Sequence, residues 1–157
     1  MLIKLIENTG YHYDAVYRFY GWEHAGDIAP IIPCGAANLG EFYMACTRAW
    51  CAETCSARFR EGWTADNPSL GQCTITAALV HEFFEGDVLA LPLIGGGMHS
   101  FNRVSGHIVD LACEQFGKDA LLDFENAVTI DAGSLLSDAD KAARCALLRE
   151  RLMQAAK

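Results

Sequence analysis

Three residue types able to do chemistry together occur in the order Cys73, His99, Asp110, each at a place that suits it. Cys73 follows the loop Gly71-Gln72 and heads an apolar segment, Thr74–Phe84, whose Ile75, Leu79, Val80, Phe83 and Phe84 predict a largely buried helix ending at Glu85-Gly86. At a helix start the backbone N–H groups lack intrahelical acceptors, and with the helix dipole they favour a thiolate, the nucleophilic form of cysteine. A small residue at a crowded helix start fits position 73 equally well, so position alone leaves two readings open.

A nucleophilic thiol needs a base. His81 is eight residues further along the same helix, roughly 12 Å at 1.5 Å per residue, too far to touch Cys73. His12 and His24 fall in a stretch with no readable pattern, and His107 lies beside a turn, where an exposed polar residue is ordinary. His99 opens a predicted strand directly after Gly95-Gly96-Gly97. Met98–Val104 and His107–Ala112 read as a hairpin about Ser105-Gly106. With a two-residue turn Val104 faces His107, and counting outward sets Phe101 opposite Asp110 and His99 opposite Ala112. His99 and Asp110 then share one face as diagonal neighbours about 7–8 Å apart at Cα, near enough for the carboxylate to orient the imidazole. Asn102, the other candidate to orient it, falls on the opposite face unless a bulge intervenes; a three-residue loop would reverse this parity.

These groups must be held by an α+β domain, helices flanking a strand-rich centre. Glu41 to about Arg60 has helical spacing, with Phe42, Ala45, Ala49 and Ala52 on one side, broken by Gly62 and Asn67-Pro68. Asp87–Ile94 reads as a strand, and Ser137–Lys157 as a helix with Ser137 as N-cap. Residues 1–40 are least readable: Leu2–Ile6 suits a short strand, and Tyr11–Trp22 is rich in aromatics that suit a core or a self-association surface.

The run Asn67-Pro68-Ser69-Leu70-Gly71-Gln72-Cys73 with Thr76-Ala77 resembles the opening motif of YunG-like proteins. The likeness continues in His99-x-x-Asn102-Arg103, Gly106, Val109-Asp110-Leu111 and Glu114-Gln115-Phe116. It extends upstream to Ala49-Trp50, Glu53-Thr54 and Trp63, and downstream to Arg144, Leu147-Leu148 and Arg151, covering roughly residues 46–152. Residues 1–45 form a divergent N-terminal segment of the same single domain. Ala112-Cys113 departs from the Thr-Arg common there in the family. The resemblance implies a fold and a site more than a reaction. The order of cysteine on a helix start, histidine on a strand and aspartate on the next also resembles the transglutaminase-like and NlpC/P60 branch of papain-like cysteine hydrolases. That likeness would make Cys73 the nucleophile, His99 the general base and acid, and Asp110 its orienter, with Gln72 and the Cys73 backbone N–H stabilising an oxyanion.

Composition narrows the alternatives. Among 157 residues, 12 basic and 20 acidic ones give a formal charge of −8, which argues against nucleic-acid binding. No apolar run approaches the roughly 20 residues that span a bilayer, and the N-terminus does not read as a secretory signal, so a cytoplasmic protein is expected. The chain has seven cysteines. Cys34, Cys46, Cys51 and Cys55 lack a Cys-x-x-Cys knuckle and a nearby histidine, so they read as small core residues, and neither a metal nor a cofactor is expected. Two functions remain: a cysteine hydrolase or acyl transferase acting on an amide, ester or isopeptide of a small molecule or peptide, and a catalytically inactive papain-like binding protein able to form a homodimer.

Overall fold

The computed structural model describes residues 19–93, 96–116 and 124–155. The expected strand at 2–6, Tyr11, Tyr13, Tyr17, Gly95 and the last two residues of the C-terminal helix lie outside this range. Within it the chain is α+β, with one antiparallel sheet of four strands.

A short helix α1, Trp22–Ala25, precedes α2, Leu39–Ala49. Asn38 caps α2 by accepting the Glu41 N–H at 2.9 Å, while Glu41 accepts the Ala37 N–H at 2.8 Å. This reciprocal cap answers donors that a helix start leaves open. Helix α2 stops well short of Arg60, where helical spacing had placed its end. At Trp50 the backbone turns extended, with ψ 139°. There the indole N–H donates to Thr76 Oγ1 at 3.0 Å, and the Thr54 hydroxyl accepts the Cys51 N–H at 2.9 Å. Such local side-chain bonds compete with helix continuation. Residues 50–55 form an irregular turn instead, and arginines satisfy its carbonyls: Arg60 donates to Ala52 and Cys55, and Arg144 to Thr54.

Helix α3, Cys73–Phe84, begins at the cysteine and ends before Glu85, which has φ 63°. It packs against β2, Met98–Val104, which pairs with β1, Asp87–Pro92, on one side and β3, His107–Val109, on the other. Strand β4, Val128–Ile130, is three residues long and pairs with β1, giving the order β3-β2-β1-β4. It lacks the alternation that would have marked it as a strand. Helix α4, Ala139–Ala155, is capped by Asp138, which accepts the Lys141 N–H at 2.7 Å. Ser137, the expected cap, has a helical backbone instead, φ −69° and ψ −20°, unsuited to an N-cap.

The hairpin turns on two residues, Ser105 at φ 51° and Gly106 at φ 80°, the signature of a type I′ turn. Its register is Val104 to His107, Arg103 to Ile108 and Asn102 to Val109, with no bulge. Asn102, on the α3 face, donates to the Ala77 carbonyl at 3.0 Å. Ile75, Leu79, Val80, Val104, Val109, Leu148 and Leu152 fill the core between sheet and helices. Leu89, Leu91, Phe101, Phe116 and Phe124 form a second cluster on the other face. Beyond β3 the sheet edge is extended by Tyr20, whose carbonyl accepts the Asp110 N–H at 3.0 Å.

Because an L-residue with a side chain is held at positive φ in this turn, Ser105→Asn is expected to stabilise the fold by about 0.5–1 kcal/mol, asparagine tolerating that conformation better. Urea unfolding followed by circular dichroism should show a higher midpoint with an unchanged slope.

Candidate active site

The hairpin register brings His99 and Asp110 together. His99 Nε2 and Asp110 Oδ2 are 2.6 Å apart, and both residues are fully buried. The second aspartate oxygen accepts the Ala112 N–H at 3.2 Å, and Phe116 packs edge-on against the imidazole at 4.5 Å between ring centres. One carboxylate is thus fixed by backbone on one side and by the ring on the other. With Nε2 engaged, the His99 Nδ1 is buried and has no full hydrogen bond. Besides Asp110, the group that acts on this ring is Cys73.

Cys73 is the first residue of α3 and is half-buried. Burial works against its thiolate, but the His99 side chain, the Ser100 backbone and the Thr74 hydroxyl more than offset it and hold the thiol below the ordinary range. His99 moves the other way. Burial disfavours its cation, yet the Asp110 charge and hydrogen bond, with Cys73 added, push it up to about 10. The pair therefore favours thiolate and imidazolium. The remaining shifted thiols behave oppositely, since burial raises Cys34, Cys46, Cys55 and Cys145 above the ordinary value.

The structure thus assembles Cys73, His99 and Asp110 but gives Gln72 and Asn102 other work. Gln72 Nε2 donates to the Cys51 carbonyl at 3.0 Å, tying the residue before Cys73 to the 50–55 turn. Asn102 bonds to Ala77, on the face opposite His99. The backbone N–H of Cys73 stands at a helix start, where such donors lack intrahelical acceptors. Three positioning contacts had no legible sequence signal: the Tyr20 carbonyl on Asp110, the Ser100 backbone on Cys73, and Gln115, whose side-chain oxygen accepts the Gly71 N–H at 3.3 Å. Gly71 itself has φ 69°, and a Cβ there would lie 2.5 Å from Cys55 Sγ. Only glycine admits so tight an approach to the helix start.

Among the described residues no group of three or more His, Cys, Asp or Glu could hold a metal, and no helix is long and apolar enough to cross a membrane. A cavity of about 690 Å³ lies between α1, α2 and Leu152 of α4, lined by Trp22, Cys34, Phe42 and Arg48. Cys73, His99 and Asp110 do not border it.

Iodoacetamide should label Cys73 at a pH where the other thiols are still unreactive, and His99→Ala should slow that labelling about tenfold or more, read by peptide mass spectrometry. Equal labelling of all accessible cysteines would refute an activated thiol. The His99 shift also predicts a stability profile. The folded state keeps a proton that the unfolded chain releases near pH 6.5, so this contribution is complete below that pH and fades as pH rises to about 10. Asp110→Asn should flatten the alkaline decline in pH-dependent thermal unfolding. Gly71→Ala should cost about 2 kcal/mol or more in urea unfolding, from the strained φ and the close sulfur.

Comparison with known proteins identifies the family of the chain. The model of a family described as YunG protein matches residues 38–157. A curated relative, "Uncharacterized protein YunG" of Bacillus subtilis (strain 168), is 33% identical over 54 residues, 34% of this chain and 46% of that protein. The aligned part thus spans less than half of the relative's length. No solved structure matches the chain. The family match takes in Cys73, His99 and Asp110 together with the elements that carry them, and the chain belongs to the YunG family.

Proposed function

We propose that the protein is a cysteine hydrolase or acyl transferase acting on an amide, ester or isopeptide bond, built in the manner of papain-like enzymes. One observation carries the reading: a single buried imidazole is hydrogen-bonded to Asp110 at Nε2, keeps Nδ1 buried without a hydrogen-bond partner, and acts on the Cys73 thiol, the two side chains shifting toward an ion pair.

The Cys73 thiolate attacks the carbonyl carbon, and the Cys73 backbone N–H at the start of α3 receives the developing oxyanion. The imidazolium of His99 gives its proton to the leaving amine or alcohol as the carbon–heteroatom bond breaks, leaving a thioester on Cys73 and a neutral histidine. His99 then takes a proton from water, or from an acceptor amine, as that nucleophile displaces the thiol. Asp110 holds the ring in orientation and stabilises its charged form, without itself becoming protonated. Metal-independent attack by a thiolate requires no group beyond those present in the chain.

The test is activity-based labelling with acyl-type electrophilic probes, then a screen of peptide, amide and ester substrates. Cys73→Ala should abolish labelling and turnover, and Asp110→Asn should lower kcat about 10²–10⁴-fold while leaving the fold intact. A Cys73 that takes no acyl probe, in a chain that binds partners with an unmodified thiol, would instead identify a binding protein retaining the catalytic shape.

A further inference from the structure

Three thiols gather near the start of α3, and the reaction proposed above uses only one. Cys55 senses the charge of both Cys73 and Cys51. Its sulfur lies against Gly71, two residues ahead of Cys73, where an added Cβ would sit 2.5 Å away. The strands of chain on either side are fastened together: the Ser56 N–H donates to the Gly71 carbonyl at 2.9 Å, and Gln72 Nε2 to the Cys51 carbonyl at 3.0 Å. Cys73 is half-buried and so open to a small oxidant, whereas Cys55 is fully buried and shielded from one.

We infer that Cys55 is the resolving partner of Cys73 in a reversible disulfide, through which hydroperoxides switch the site off and dithiols restore it. A Cys73 activated by His99, as read above, is the premise. In the first step the Cys73 thiolate attacks the outer oxygen of a hydroperoxide. The S–O bond forms, the O–O bond breaks, and the departing alkoxide takes a proton from His99. Sulfur is oxidised by two electrons to a sulfenic acid and the peroxide is reduced to an alcohol. In the second step Cys55 sulfur displaces the sulfenic oxygen. The S–S bond forms and water leaves, carrying the Cys55 proton. A dithiol supplies the two electrons and two protons that return both thiols.

The electrostatics suit this sequence of events. At rest, burial pushes Cys55 up to about 11; Arg144 and Arg60 pull it down, while Cys73 and Cys51 add to the rise. Cys55 is therefore inert until needed. A sulfenic acid at position 73 is neutral, so the opposing charge of Cys73 disappears while both arginines remain. The Cys55 thiolate becomes more accessible at the moment its target forms.

The full-length protein is treated with one equivalent of hydrogen peroxide, the remaining thiols are blocked with N-ethylmaleimide, and the digest is mapped by mass spectrometry. A Cys73–Cys55 cross-linked peptide, the loss of two of the seven titratable thiols, and a tenfold or greater fall in Cys73 labelling that dithiothreitol reverses are the expected results. In Cys55→Ala given a second equivalent of hydrogen peroxide, dithiothreitol should fail to restore labelling because the second peroxide carries the unresolved sulfenic acid at Cys73 to the sulfinic acid; in Cys51→Ser under the same treatment, reversal should persist. A Cys73–Cys51 link, or sulfinic acid at Cys73 of the unmodified protein with Cys55 still free, would overturn the pairing without any variant having to fold. An acyl probe distinguishes the two readings of the site. Labelling by that probe without disulfide formation removes the switch and leaves the hydrolase. A disulfide without acyl labelling removes the hydrolase and leaves the switch.

Discussion

Everything around the site is arranged to keep one charged hydrogen bond, between His99 and Asp110, out of water. Burying two ionisable groups is costly, and the attraction between them compensates only where geometry is good and the remaining polar atoms are satisfied. Backbone supplies the geometry and satisfies the aspartate, while His99 Nδ1 stays buried without a hydrogen-bond partner. A bulge-free hairpin sets the two residues on one face, the Ala112 N–H takes the spare aspartate oxygen, and aromatic rings close around the imidazole. The same burial that makes the pair expensive makes its field effective. The charge of Asp110 reaches Cys73 through a ring, in surroundings where little solvent screens it.

Much of this was legible in the sequence because it follows from counting. A two-residue turn and a period of two suffice to put His99 and Asp110 on one side and Asn102 on the other, and that is where they lie. The start of α3 at Cys73 was equally readable from a loop meeting an apolar run. What escaped was set by partners distant in sequence. Trp50 leaves helical geometry where its indole finds Thr76, and arginines as far away as Arg144 satisfy the turn that results. Nothing in the sequence showed that the Gln72 amide donates to the Cys51 carbonyl, twenty-one residues away. The choice between Ser137 and Asp138 as the cap of α4 depends on a short helical turn over Ala132–Leu136 that no periodicity announces. Strand β4 is too short to carry an alternation of its own.

The thiols show how a single residue type is divided by context. Burial alone makes a cysteine a small hydrophobe with a reluctant proton, as at Cys46 inside the helical core. Cys73 differs because burial is outweighed by a cationic neighbour and by hydrogen bonds to its sulfur. Gly71 allows Cys55 to come close to that neighbourhood, where burial and the charge of Cys73 hold its proton more tightly. How tightly each of these thiols holds its proton is set by its place in the fold rather than by its amino-acid type.

The pairing of Tyr20 with Asp110 alters where this protein can be said to begin. The family match opens at residue 38, whereas the carbonyl that steadies the backbone of Asp110 belongs to residue 20. A residue outside the matched span thus holds the backbone of a residue inside it, so a fragment cut at residue 38 would lose that hydrogen bond.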